Sequence, residues 1–107
     1  KEELSQFGIA LLDTDGRVLD IEEKPAHPKS NLAVFATYLY QRETVPMILE
    51  YLQAGNNPDS PGNFPGWLYC RQPVYAYVFS GEWYDIGTPD SYREGCKFVE
   101  TARETAR

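Results

Sequence analysis

The pattern of apolar and polar positions changes several times along the chain, and each change predicts an element. Phe7 to Leu12 is a short apolar run, followed by Asp13-Thr14-Asp15-Gly16 as a turn. Arg17 to Glu22 then alternates, with Val18 on one face and Leu19 and Ile21 on the other. Two such runs split by a glycine-ended turn predict a β-hairpin. Lys24 to Ser30 holds two prolines, which cannot donate to a ladder or continue a helix, and reads as a loop. Leu32 to Tyr40 is nearly all apolar or aromatic, the pattern of a strand covered on both faces.

The period then becomes helical. Val45, Ile48, Leu49 and Leu52 fall at i, i+3, i+4 and i+7, with Thr44 as N-cap, Pro46 in the first turn and Gly55 after the end. Asn56 to Gly66, with three prolines and two glycines, reads as a mobile, turn-rich connection, and Trp67 to Arg71 as a short helical turn. Val74 to Phe79 alternates as a strand, and Ser80-Gly81 turns into a further strand over Glu82 to Asp85. Thr88-Pro89 is a cap followed by proline at the first helical position. The last helix carries a stripe of Tyr92, Cys96 and Val99, and the tail Glu100 to Arg107, which loses that stripe, is expected to fray. The predicted order is strand, strand, strand, helix, strand, strand, helix, with no internal repeat and no second-domain linker.

Composition narrows this picture. The 107 residues suffice for one small domain, and 42% apolar with 24% charged residues argues against disorder. Ten basic against sixteen acidic residues give a net charge of −6, which excludes the lysine- and arginine-rich surface that binds nucleic acid nonspecifically. No apolar run approaches the roughly 20 residues of a membrane span, and no signal peptide opens the chain. Cys70 and Cys96 lack metal or redox spacing and read as reduced thiols in or near the core. The first residue, Lys1, is not methionine, and sequence upstream of it is expected.

Four features bear on chemistry. In Glu22-Glu23-Lys24-Pro25, a lysine at a strand end can present its ammonium to a phosphate oxygen, and a neighbouring carboxylate can accept hydrogen bonds from sugar hydroxyls. On composition alone, a solvated strand end is the better explanation. In Trp83-Tyr84-Asp85-Ile86-Gly87-Thr88-Pro89, Asp85 at the sheet rim suits Mg²⁺, although turn chemistry accounts for it as well. His27, the sole histidine, has no visible partner and reads as an exposed loop residue. The aromatic set Tyr38, Tyr40, Tyr75, Tyr77, Trp83 and Tyr84 could stack on a ligand, but sheet packing explains it more simply. A glycine-rich phosphate loop, a Ser/His/Asp or Cys/His set and a metal-ligand cluster are all missing from the sequence.

Together the segments Asp15 to Pro25 (DGRVLDIEEKP), Lys29 to Val34 (KSNLAV), Pro61 to Leu68 (PGNFPGWL) and Val74 to Tyr92 (VYAYVFSGEWYDIGTPDSY) resemble the C-terminal part of the catalytic domain of sugar-phosphate nucleotidyltransferases. That family includes mannose-1-phosphate guanylyltransferases and glucose-1-phosphate thymidylyl-, uridylyl- and adenylyltransferases. The resemblance runs over residues 7 to 100, and four motifs in the right order outweigh the local alternatives. It implies an α/β fold: the C-terminal half of a Rossmann-like domain, with a mixed sheet and two main helices. The nucleotide-binding half, with its Gly-rich loop and first metal-binding Asp, is not among these residues.

By motif, the resemblance assigns Glu23 to the sugar hydroxyls, Lys24 to the sugar phosphate, Asn31 and Val34 to the sugar pocket, and Asp85 to Mg²⁺. Lys24 and Asp85 are thereby the catalytic residues. The implied partners are a sugar 1-phosphate and an NTP, without nucleic acid or membrane, in a cytoplasmic setting. The residues by themselves are expected to be inactive and to self-associate through uncovered apolar surface. The competing reading is a non-catalytic module that binds a sugar phosphate or a protein. The sequence departs from the family near Ala36-Thr37-Tyr38, where relatives often place a glycine before the tyrosine. Neither the sugar nor the base is legible.

Overall fold

The computed structural model describes residues 4–107, so Lys1 lies outside the described residues. After a 3-10 turn at Leu4–Gln6 come β1 (Gly8–Leu12), β2 (Val18–Glu22) and β3 (Leu32–Val34). Three helices follow: α1 (Met47–Gln53), α2 (Asn63–Leu68) and α3 (Pro89–Thr105). The α/β class is as expected. The described strands form one antiparallel sheet in the order β2-β1-β3, and α2 joins the two expected helices.

The hairpin forms where the pattern placed it. Asp13 Oδ1 accepts from the backbone N–H groups of Asp15 and Arg17, both at 2.9 Å, and Gly16 takes the positive φ of +83° that closes the turn. The register pairs Ile9 with Glu22 and Ala10 with Ile21, then shifts at a bulge between Leu11 and Leu12. Ile9, Ala10 and Val18 are buried, while Leu11 and Leu19 face outward.

Beyond the hairpin the chain departs from the expected strands. Leu32 to Tyr40 is not a central strand: only Leu32–Val34 pairs, at the sheet edge, and Leu39 is 98% exposed. Past Val34 the side chains engage rings elsewhere instead of extending a ladder. Phe35 meets Phe79 and Trp83, and Tyr40 meets Phe64 edge-on. Val74 to Phe79 likewise contributes one bridge, Arg17 to Tyr75, held by Val18 N–H to the Val74 carbonyl and Ala76 N–H to the Gly16 carbonyl, each at 2.8 Å. The segment then leaves the β2 edge, and Glu82 to Asp85 is not a strand either.

The helices also bury faces other than those expected. Val45, just before α1, and Leu49 and Leu52 within it are exposed, and the inward face is Met47, Ile48 and Tyr51. Tyr51 decides the orientation: it offers more apolar area than any leucine, and its hydroxyl donates to the Asn57 carbonyl. Thr44 does not cap α1. It is buried, and its Oγ1 accepts from Gln72 Nε2 at 2.9 Å.

The segment expected to be mobile holds α2, whose Phe64, Pro65 and Leu68 are buried. Proline is tolerated there because the first helical turn has no N–H bonds to lose. Tyr51, Phe64 and Leu68 form the core cluster, with Tyr40, Met47, Ile48, Trp67 and Val74 packed around it. In α3, Thr88 is the N-cap and Pro89 opens the helix, as the sequence indicated, and Ser91 completes a capping box with Thr88. Tyr92 and Val99 are exposed, however, and the buried position is Gly95, against Ile86 and Tyr84. Where the sequence predicts fraying, the helix continues: Glu100, Ala102, Arg103 and Glu104, all good helix formers, lie within α3, which runs to Thr105. Both cysteines are free, but Cys70 is exposed, not in the core.

Candidate functional site

Three of the candidate residues, Glu23, Lys24 and Val34, gather where β2 ends beside the start of β1. Glu23 and Lys24 follow directly on β2, and the Lys24 N–H donates to the Phe7 carbonyl at 3.1 Å. This tie holds Lys24 at φ +48°, the only positive φ among the described non-glycine residues, while Pro25 behind it is buried. A lysine in the left-handed region is strained, so the surrounding structure imposes that conformation. Its side chain is exposed, and no ion pair engages it among the described residues.

Lys29, at the far end of the same loop, is already spent on protein. It pairs with Asp20 and, at 3.1 Å, with Glu22, two acidic residues on one face of β2. Hydrogen bonding to Lys29, helped by the Tyr69 hydroxyl, holds the Asp20 carboxyl below its ordinary range, and the two carboxylates raise the Lys29 ammonium. Lys24 is thus the loop cation left for an anionic ligand. The Tyr69 phenol is pushed up to about 12, first by its hydrogen bond to Cys70, then by burial and Asp20.

Glu23 is half-buried, with its carboxylate against two glycines. Carbon at the Cβ position of Gly8 would lie 3.1 Å from Glu23 Oε2 and 3.5 Å from Val34 Cβ. Val34 itself pairs with Gly8 across β1 and β3. Tyr38 borders the same place, its phenol raised by burial and by the Glu23 charge, and it stacks on Tyr40 with ring centroids 6.0 Å apart. Burial, with Tyr38 adding to it, pushes the Tyr40 phenol up to about 12.

Asn31 is exposed and stands just before β3. Next to it the Ser30 hydroxyl donates to the Ala10 carbonyl and accepts from the Leu32 N–H at 3.1 Å, which fixes this end of the loop to β1. Glu23, Lys24 and Val34 are therefore brought together around Phe7 and Gly8, with Asn31 farther along the same edge. Asp85 is exposed and joins them only indirectly. Two residues before it, Trp83 packs edge-on against Phe7 at 5.4 Å and against Phe35 at 4.3 Å.

No group of three or more His, Cys, Asp or Glu side chains gathers around a metal position among the described residues. Asp85 has no ion pair among the described residues, and a single such carboxylate matches one of the one or two that Mg²⁺ takes alongside water and phosphate oxygens. His27 is exposed in the loop, as expected. Gly8, Gly62, Phe7 and Phe35 were not singled out by the sequence reading. Their signal is spatial, since each acts on a residue distant in the chain.

The glucose-1-phosphate adenylyltransferase of Thermotoga maritima is 40% identical over 99 residues, covering 87% of this chain and 23% of that protein. The glucose-1-phosphate adenylyltransferase of Desulfitobacterium hafniense strain Y51 is 36% identical over 96 residues, covering 85% of this chain and 24% of that protein. The chain thus spans about a quarter of the length of these curated relatives. No solved structure gives a significant match. The family described as nucleotidyl transferase matches residues 1–102, nearly the whole chain, and the chain belongs to that family.

Proposed function

We propose that the protein carrying these residues transfers a nucleotidyl group from an NTP to a sugar 1-phosphate, giving an NDP-sugar and pyrophosphate, and that residues 1–107 hold the sugar phosphate. The observation that carries this reading is Lys24, an unpaired ammonium held in a strained conformation beside the half-buried carboxylate of Glu23. Glucose 1-phosphate is the substrate that the relatives' names indicate.

In this reading the Lys24 ammonium binds the sugar phosphate as a point charge and Glu23 accepts hydrogen bonds from sugar hydroxyls. Val34 and Asn31 line the pocket. A phosphate oxygen of the sugar attacks the α-phosphorus of the NTP; that P–O bond forms as the bond to the pyrophosphate oxygen breaks. Lys24 contributes by fixing the nucleophile in line and offsetting its charge. Asp85 would supply one carboxylate to Mg²⁺, which when bound neutralises phosphate charge. The 107 residues alone contain no glycine-rich cradle for the NTP phosphates and are proposed to be inactive and self-associating.

Pyrophosphate release by the intact protein, assayed with a panel of NTPs and sugar 1-phosphates, tests this. Release that requires both substrates is expected, with none from the 107-residue polypeptide. An intact protein that binds sugar phosphate but turns over no pair would favour the non-catalytic module.

A further inference from the structure

Gly62 precedes α2 with φ −66° and ψ −19°, a conformation any L-residue adopts without strain. Backbone freedom therefore gives no reason for glycine here. The reason lies in space: a Cβ at Gly62 would lie 2.9 Å from Glu23 Cδ and would overlap Glu23 Oε2 outright. Gly8 faces the same oxygen at 3.1 Å from its own Cβ position. The two glycines, one opening β1 and one opening α2, form a notch that the Glu23 carboxylate occupies.

We propose that Gly62 is a positioning residue for sugar recognition, its missing side chain leaving the seat that aims the Glu23 carboxylate. This rests on the reading of Glu23 as the sugar-hydroxyl ligand. The α2 segment thereby has a role in the site as well as in the core. The intruding methyl would meet the far end of a flexible side chain, so the carboxylate swings out and the backbone stays in place. Because directed hydrogen bonds lose their value over about 1 Å of misplacement, the effect falls on substrate use more than on folding.

The test is a double-mutant cycle in the intact protein, read by steady-state kinetics with glucose 1-phosphate and each NTP. Gly62→Ala is expected to raise the KM for the sugar phosphate roughly tenfold, with the NTP KM and the thermal midpoint little changed. In a Glu23→Ala background it should add nothing, because the group it displaces is already gone. Gly8→Ala, whose Cβ crowds the oxygen less, should give a smaller rise in the same parameter and serves if Gly62→Ala does not fold. A Gly62→Ala loss of equal size with and without Glu23 would overturn the seat, as would no loss where Glu23→Ala has one. If Glu23→Ala itself leaves sugar-phosphate use intact, the reading of Glu23 fails, and the seat's role in recognition fails with it.

Discussion

Lys24 combines two properties that a single substitution can separate. Its charge is free for a ligand, and its backbone sits in the left-handed region, which costs a non-glycine residue roughly 1–2 kcal/mol. Lys24→Gly should relieve that strain and stabilise the intact protein by about 0.5–1 kcal/mol in urea unfolding, the gain being cut by glycine's larger unfolded-state entropy. Lys24→Ala removes the charge but keeps the strain. Both should weaken sugar-phosphate use by at least about tenfold, or roughly 1.4 kcal/mol, with little effect on the NTP. Equal losses for the two substrates would mean that Lys24 supports the fold instead. The Glu23-Lys24 pair stands out in the sequence because a charged run, a strand end and a proline are adjacent there, but its assignment to the sugar phosphate comes from the resemblance. Gly62 does not stand out, because its partner lies far back along the chain and glycine carries no chemistry of its own.

Among the elements, α2 is a six-residue helix whose order comes from tertiary contacts. Phe64 meets Tyr40, Tyr51 and Trp67, and Arg71 lies 3.8 Å over the Trp67 ring. Phe64→Ala should therefore cost about 3–5 kcal/mol, a large part of a small domain's stability. Leu49→Ala, on the exposed face of α1, should stay within about 0.5 kcal/mol. Urea unfolding of the two variants checks this contrast; the leucine stripe read from periodicity predicts the reverse order. The same contrast explains what the pattern could and could not reveal. The hairpin was readable because alternation and the Asp13 to Gly16 turn are local signals. The α1 face was misread because leucine spacing matched a helix while the larger Tyr51 set its rotation. The α2 helix was hidden because Pro61, Gly62, Pro65 and Gly66 are turn residues by composition, and only the packing around Phe64 draws Pro65 and Gly66 into a helix.

At the scale of the whole molecule, the described chain is more open than its length predicts. Its radius of gyration is 16.4 Å, against about 13 Å for a closed domain of this size. Its accessible surface is 8517 Å², against about 6,100 Å² for a folded monomer of equal mass. The excess includes apolar side chains: Tyr77 is 90% exposed, and Val78, Ile86 and Tyr92 are more than half exposed. Size-exclusion chromatography with light scattering of the 107-residue polypeptide should accordingly give a mass above 12.2 kDa. A stable monomer would show that these residues close their own core and would favour the stand-alone module. No described helix is long and apolar enough to cross a membrane. The contact of Trp83 with Phe7 and Phe35 has a further, optical consequence. The chain has two indoles, one within the helical cluster beside Phe64 and one in the aromatic clasp that holds the Asp85 segment to the sheet. They emit from different surroundings, so these residues carry one fluorophore for the helical core and another for the sheet edge beside Phe7. Loosening of the clasp moves Trp83, already 40% exposed, farther into water and reddens its emission, while the circular dichroism of the capped α3 helix is unchanged.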